Sequence, residues 1–272
     1  MTTNTALAAQ ATAFARLHTP AAPLALANAW DVASARLVEA AGAPAVATTS
    51  AGVAWSLGSP DGDALSRDRA LRLIARVAAA VAVPVTADIE GGFGADAAAV
   101  GETVTGVLAA GAVGVNIEDV NRSPAEHAER LAAARAAADA AGVPLFVNAR
   151  IDTFLFGLGD PATRLDETLA RAAAYLRAGA SGIFVPGVTD PSVVAELARG
   201  IDAPLNVLVG PGAPAVAALG ALGVSRVSLG SWVAEAAYAV VRRAAEELVS
   251  GGTYGTLAHS LPYGELNGLL KG

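Results

Sequence analysis

Three acidic residues stand where apolar runs end, in Asp88-Ile89-Glu90-Gly91-Gly92 and in Asn116-Ile117-Glu118-Asp119. Asp88 and Glu90 are two residues apart, so on an extended chain both side chains point to one face. Glu118 closes the next run and can meet the same volume. Carboxylates that converge repel each other and have raised pKa values unless a cation lies between them. With no cysteine and only His18, His127 and His259, the chain offers hard oxygen ligands, which suit Mg²⁺ or Mn²⁺ better than Zn²⁺. Each acid alone reads as a helix cap or an arginine partner. Three at matching places on consecutive runs favour the metal. Arg150, at the end of the following run, is a fork for a carboxylate or phosphate, or else an ion-pair partner of Asp152 or Glu118. Ser50, Ala51 and Gly52 end an earlier run, where backbone N–H groups can face an anion. Asn28, Asp31 and Asn206 mark other run ends, and Asp61 sits in a turn by composition, Gly58-Ser59-Pro60-Asp61-Gly62.

The absences narrow the chemistry. Without cysteine there is no thiolate nucleophile and no cysteine-held metal. Lys271, next to last, is the only lysine, which excludes Schiff-base and pyridoxal-phosphate mechanisms. The formal charge is −7, which argues against nucleic acid or an anionic membrane as partner. A composition 54% hydrophobic and 16% charged excludes disorder. The uncharged stretches 40–60 and 203–225 are broken by Gly, Pro, Ser, Thr or Asn, so neither suits a membrane span. The first twenty residues carry no basic-then-apolar targeting pattern, and a cytoplasmic protein is the expectation.

The elements that must position these groups alternate. Apolar runs at 24–28, 45–50, 83–90, 114–119, 145–151, 182–186, 205–209 and 226–230 read as strands buried on both faces. Helices are expected over 32–41, 66–80, 96–110, 124–141, 161–178, 191–199 and 232–249. Pro124, Pro161 and Pro191 each follow Ser or Asp, the pattern of an N-cap with proline at the first helical position. Gly42, Gly111, Gly142, Gly179 and Gly220 stand at expected helix ends. Eight such units predict a single α/β domain over 1–272, a closed (β/α)₈ TIM-type barrel, with a short C-terminal appendage from about residue 251. An open doubly wound sheet is disfavoured, because no G-x-G-x-x-G follows the first strand. In a barrel the strand C-termini form the active site, which is where the polar residues collect. His18 is expected at the surface, His127 on a helix, and Trp30 and Trp55 as packing residues able to line the pocket.

Taken together, the stretches from Asn28 to Asp63, "VPVTADIEGGFG", "GVNIEDV" and "VNARID" resemble the isocitrate lyase / phosphoenolpyruvate mutase superfamily, with weaker likeness in "GIFVPG", "PLNVLVGPGAP" and "RVSLG". The resemblance runs from about Ala25 to Ala236. It implies a barrel whose last helix is often exchanged with a neighbouring subunit, in homodimers or homotetramers, and Mg²⁺ chemistry on 2-oxo acids or their enolates. By position it implies Asp88, Glu90 and Glu118 as metal-associated acids and Arg150 as the substrate-binding arginine. Ser50, Ala51 and Gly52 then match the segment holding a carboxylate or phosphonate, Asp61 the aspartate near the reacting group, and Asn206 a weaker carboxylate contact. The chain departs from the lyases after Glu118. Asp119-Val120-Asn121-Arg122-Ser123-Pro124 is shorter than their gating loop and lacks its Cys, Lys and His. Pro186 also stands where the lyases would place a glutamate. Isocitrate and methylisocitrate cleavage are therefore not expected.

The expected function is a Mg²⁺-dependent lyase cleaving a C–C bond of an oxaloacetate- or malate-like 2-oxo or 2-hydroxy acid through a metal-stabilised enolate. In it Asp61, Glu118 and Arg150 act on the reacting groups. The first alternative keeps the site and changes the bond, to the P–C chemistry of phosphoenolpyruvate mutase or phosphonopyruvate hydrolase, in which Asn121 could serve from the gating loop. The second is a barrel that binds a 2-oxo acid without turning it over.

Overall fold

The computed structural model describes residues 3–120 and 122–271, so Asn121 lies outside the described residues. The chain opens with helix α1 (Thr3–Arg16) and then enters the alternation. Strands β1 (Leu24–Leu26) and β2 (Asn28–Ala29) are two halves of the first barrel strand. Then come α2 (Val32–Ala40), β3 (Val46–Thr48), α3 (Ser50–Ser56), α4 (Arg67–Ala80), β4 (Val85–Asp88), α5 (Ala97–Ala109) and β5 (Gly114–Glu118). The second half holds α6 (Pro124–Ala140), β6 (Phe146–Arg150), α7 (Arg164–Arg177), β7 (Gly182–Val185), α8 (Pro191–Gly200), β8 (Leu205–Leu208), α9 (Val216–Ala221) and β9 (Val224–Ser228). The chain finishes with α10 (Trp232–Gly251) and α11 (Tyr263–Leu270).

All strand pairs are parallel, in the order β1-β9-β8-β7-β6-β5-β4-β3-β2. Because β1 and β2 are consecutive, the two ends of that order meet and the sheet is a barrel. Residues Val85, Ala87, Val115, Ile117, Val147, Ala149 and Ile183 are buried against the helices. The alternate positions Thr86, Asn116, Asn148, Asn206 and Arg226 face inward and are as fully buried, so the barrel interior is polar.

Local signals explain most boundaries. Asp31 accepts from Ser34 N at 2.7 Å and caps α2, so Asp31 has a structural role. Ser123 with Glu126 forms a capping box on α6, and Asp190 caps α8, each followed by proline. Pro161 does not start α7. That helix begins at Arg164, after Asp160 has made a turn through Ala162 N and Thr163 N. Nor does Gly220 end α9: it lies within it, and Gly223 (φ 102°) takes the left-handed position. The helices α1 and α3 were not legible, and α9 was marked only near its end by Gly220, since each is short or rich in Ala, Thr and Gly without a clear apolar stripe.

His18 is buried, not at the surface. Helix α1 crosses the bottom of the barrel, and His18 stacks on Phe146 at 3.9 Å while its Nδ1 faces Phe14 O at 3.0 Å. Burial, with Arg226 nearby, lowers its pKa to about 3, so the ring is neutral. Phe14 completes this floor, edge-on to both rings.

Helix α10 stands apart from the ring. Val241, Leu248 and Val249 are exposed, and Ala234 is its buried residue. An apolar groove of about 610 Å³ lies over β1 and β9, between Leu37 and Val38 of α2 and Val216 of α9. Helix α11 returns to α2, where Arg36 Nε donates to Leu269 O at 2.8 Å. Among the described residues no helix is long and apolar enough to cross a membrane.

Phe14 is fully buried and touches both aromatic neighbours of the floor. Phe14→Ala is expected to lower unfolding free energy by about 3–5 kcal/mol, read as an earlier urea midpoint at unchanged m-value. A loss below about 1 kcal/mol would mean that α1 is not part of the cooperative core.

Candidate active site

A cavity of about 220 Å³ opens at the C-terminal ends of the strands. Asp88 ends β4, and its backbone N–H donates to Thr48 Oγ1 at 2.9 Å. Its Oδ1 accepts from Glu90 N at 3.1 Å and its Oδ2 from Asn116 Nδ2 at 3.3 Å. Burial raises the Asp88 pKa, opposed by Arg150 and reinforced by Asp61. Asp61, Asp88, Asn116 and Arg150 line the cavity together with Ser50 and Ala51.

Arg150 ends β6 and pairs with both acids that its position suggested. Its Nη1 lies 2.5 Å from Glu118 Oε2, and its Nε lies 2.7 Å from Asp152 Oδ1. The register sets this, because Glu118 and Arg150 are direct cross-strand neighbours. Behind them Asp119 Oδ1 accepts from Asp152 N at 3.0 Å. The other Asp119 oxygen takes Arg171 Nη1 at 2.8 Å and the Tyr175 hydroxyl at 2.7 Å. Those bonds hold the chain that carries Asp152, and so hold Arg150. Burial pushes Glu118 up to about 8 even though Arg150 opposes it.

Glu90 departs from the expected alternation. The strand ends at Asp88, and Glu90 adopts φ 51°, a left-handed conformation costly for a residue with a Cβ. Its carboxylate turns towards the 57–63 loop and accepts from Asp63 N, while Oε1 is buried without a partner. Burial raises its pKa to about 7, and Asp61, Asp88 and Asp63 add to the rise. Asp63 in turn pairs with Arg122 of the short loop at 2.9 Å and accepts from Gly91 N at 3.3 Å. The Arg122 guanidinium lies so close over Gly91 that a Cβ there would clash with it. From below, Arg130 donates to the carbonyls of Gly91, Gly94 and Ala95 at 2.8–3.0 Å. Asp63, Arg122 and Arg130 were not singled out by sequence. The order of charges along the chain does not reveal a clamp made across three loops.

Ser50 and Ala51 open α3 rather than a loop, because Thr49 is extended and acts as its N-cap. Thr49 makes no side-chain cap bond, and the first amides of a helix have no partner inside it, so an anion in the cavity can take them. Gly52 sits behind them, where a Cβ would meet Thr49 and Trp30 at 2.8 Å. Asn206 lies one layer below the cavity, accepting from Ser228 Oγ at 3.3 Å, and Ser228 is the residue that lines it. Leu155, Phe156, Phe184, Pro186 and Leu208 form the apolar wall. Trp30 packs beside Val53 and Leu65, and Trp55 lies in a separate groove against Tyr238 of α10.

Among the described residues, no three His, Cys, Asp or Glu side chains are grouped as a ready ligand set. Even so, the donors fit a hard divalent cation. They are carboxylate oxygens, they raise each other's pKa values, and the buried Glu90 Oε1 has no partner. Mg²⁺ keeps several waters and needs few direct protein ligands. Asp88 would hold such an ion from the cavity wall, with Asp61, Glu90 and Glu118 within its electrostatic reach.

The family model described as phosphoenolpyruvate phosphomutase matches residues 14–249. An uncharacterised protein of Mycobacterium tuberculosis is 38% identical over 94% of this chain and 95% of its own length. The crystal structure of a putative lyase/mutase from Burkholderia cenocepacia is 40% identical, with TM-score 0.89 over 98% of this chain and 97% of that one. A phosphonopyruvate hydrolase in complex with oxalate and Mg²⁺ is 27% identical, with TM-score 0.78 over 100% of this chain and 96% of that one.

The raised carboxylates carry a signed consequence for stability. Glu90 and Glu118, at about 7 and about 8 folded against an ordinary 4.5, bind more protons folded than unfolded between those values. Stability therefore falls as pH rises through that window. In chelator-treated protein the Tm is expected to drop steadily from about pH 5 to about pH 8, and Glu118→Gln to flatten the upper part. A Tm that is level across the window would show that folding does not raise the pKa values of these acids.

Proposed function

The chain belongs to the phosphoenolpyruvate phosphomutase family, within the isocitrate lyase / phosphoenolpyruvate mutase superfamily, and we propose that it carries out P–C bond chemistry on a small 2-oxo acid of the phosphonopyruvate type. The observation that carries this reading is the cavity lining. Among the described residues its titratable side chains are Asp61, Asp88 and Arg150, and no His, Lys or Tyr lines it. A C–C lyase must deliver a proton to the carbon it releases. Isomerising phosphonopyruvate needs none: the C3–P bond breaks, an O2–P bond forms, and the proton count is unchanged. The cavity, about 220 Å³, is smaller than drug-sized sites of ~300–1,000 Å³ and suits a three- or four-carbon acid. This order reverses the expectation from sequence, which put C–C cleavage first.

Each residue then has a task. The first amides of α3, with the Ser50 hydroxyl, take the substrate carboxylate. Arg150 is held rigidly by Glu118 and Asp152 and orients the opposite end. Asp61, which lines the cavity, is assigned to the reacting group. Phe184, Pro186 and Leu208 keep water from one side of it. Mg²⁺, or Mn²⁺, would be held by Asp88 and would supply positive charge opposite the C2 oxygen, where negative charge develops. The family resemblance and the oxalate-bound hydrolase support that cofactor.

A second reading is cleavage of an oxaloacetate-like acid, with water as proton source. It is favoured by the sequence Asp119–Pro124, shorter than the lyase gating loop, since a short gate leaves a site more open to water. The partner is read as a second copy of this cytoplasmic enzyme, in a dimer or tetramer. Its α10 would fill the apolar groove over β1 and β9, a place that suits the bare apolar residues of α10.

Phosphorus NMR tests the reading. With Mg²⁺, the phosphonopyruvate resonance is expected to give way to phosphoenolpyruvate within hours, and Asp88→Ala to abolish this; inorganic phosphate in its place would mean hydrolysis, with water protonating the released carbon. An unchanged phosphonate spectrum rejects it. Oxaloacetate consumed in a parallel assay would move the assignment to the second reading. Oxalate binding that needs Mg²⁺, seen by calorimetry without turnover of either acid, would leave a binding barrel.

A further inference from the structure

Arg226 has no task in that account, although a guanidinium in a barrel core is costly to keep. It is 0% exposed, and its Nε and Nη1 have no partner. No described carboxylate forms an ion pair with it. From β9 it reaches across the interior to β5, on the far side of the sheet order, and its Nη2 donates to Asn116 Oδ1 at 3.3 Å. Asn148 Nδ2 donates to the same oxygen at 2.9 Å. The other end of that amide, Asn116 Nδ2, donates to Asp88 Oδ2 at 3.3 Å. Asp88, Asn116 and Asn148 are register neighbours on β4, β5 and β6, so the strand pairing itself builds the row.

An asparagine amide has nearly the same shape in either of two orientations, and its surroundings choose between them. Turned over, Asn116 would set its NH₂ against two donors and its oxygen against a carboxylate. Arg226 and Asn148 supply the two donors that forbid this. We infer that Arg226, acting with Asn148, locks the Asn116 amide so that Asp88 offers the cavity one fixed carboxylate orientation. Arg226 is thus a positioning residue for the reaction proposed above, on which its functional part rests. Burial lowers the Arg226 pKa to about 10, so the side chain is still cationic at neutral pH, and Asp88 is the charge that favours this. The role calls for a donor at the end of a long side chain. Lysine can supply one and methionine cannot.

The test reads the lock directly. In protein labelled with ¹⁵N-asparagine, the Asn116 side-chain NH₂ pair is assigned by its loss in Asn116→Asp. In Arg226→Met that pair is expected to shift and broaden, and in Arg226→Lys to return close to its original position. With phosphonopyruvate, Arg226→Met is expected to lose about 10–100-fold in kcat, with KM within about threefold, and Arg226→Lys to recover most of the loss. A role in filling volume would be met by methionine as well as by lysine. An Asn116 pair that does not move in folded Arg226→Met overturns the inference. Should circular dichroism show Arg226→Met unfolded, Asn148→Ala removes the other donor, and an unmoved pair there overturns it equally. If wild-type protein leaves phosphonopyruvate untouched, the proposed function fails, while the amide signal still decides the lock.

Discussion

Negative charge shut away from water is the constraint on which the barrel mouth depends. Glu90, Glu118, Asp119 and Asp152 are all buried, and Asp88 lies among them. Two like charges about 4 Å apart repel by about 4 kcal/mol at the effective dielectric of such sites. The fold answers with guanidinium groups placed by register. Arg150 lies between Glu118 and Asp152, and Arg171 meets Asp119. What is left unbalanced is the side formed by Asp61, Asp88 and Glu90, and Asp61 and Asp88 face the cavity. That asymmetry favours a cation there and disfavours a bare polyanion. It also makes the rigid half of the site, around Arg150, distinct from the half whose charge is open to compensation.

The parts of this arrangement governed by strand periodicity were legible in the sequence. Asp88, Glu118 and Arg150 end consecutive apolar runs, and the structure brings all three to one end of the barrel. Alternation failed at Glu90, because the strand stops two residues earlier and the next residues turn left-handed. The helix expected from Pro161 failed for a related reason. Asp160 uses its carboxylate for a turn before it can act as a cap. His18 was misjudged because nothing local indicates that the helix before the first strand folds under the barrel. Asp63 and Arg122 escaped notice because their importance lies in a contact between loops far apart in the chain. One-dimensional patterns mark which side of a strand faces inward, but do not show how loops lean on one another.

Polarity in the barrel interior gives the molecule a layered character. At the bottom, Phe14, His18 and Phe146 form an aromatic floor. Above it lies a row of amides joined to one cation, and above that the carboxylates. A purely aliphatic interior would pack as densely, but it would give Asp88 nothing to lean on. In this chain the tightly packed aliphatic side chains lie mainly outside the strands, between sheet and helices. The inside is given over to orientation. Side-chain hydrogen bonds in such a place are strengthened by low polarity and penalised when broken.

The divided first strand has a further consequence, for the order in which the molecule assembles. Strand β1 pairs with β9, the last strand, while β2 pairs with β3, close by in the chain. During synthesis the β2 side can zip up as it emerges, but the seam at β1 must wait for the whole chain. Closure is the contact of greatest sequence separation, and so carries the largest loop-entropy cost of any strand pairing here. Until it forms, the polar interior with its buried arginine is open to water along one edge. In that state the inward-facing Asn116 and Asn148 line the open side, where an aliphatic interior would expose apolar side chains instead. The charge that later organises chemistry would first serve to keep the nascent chain from sticking to its neighbours.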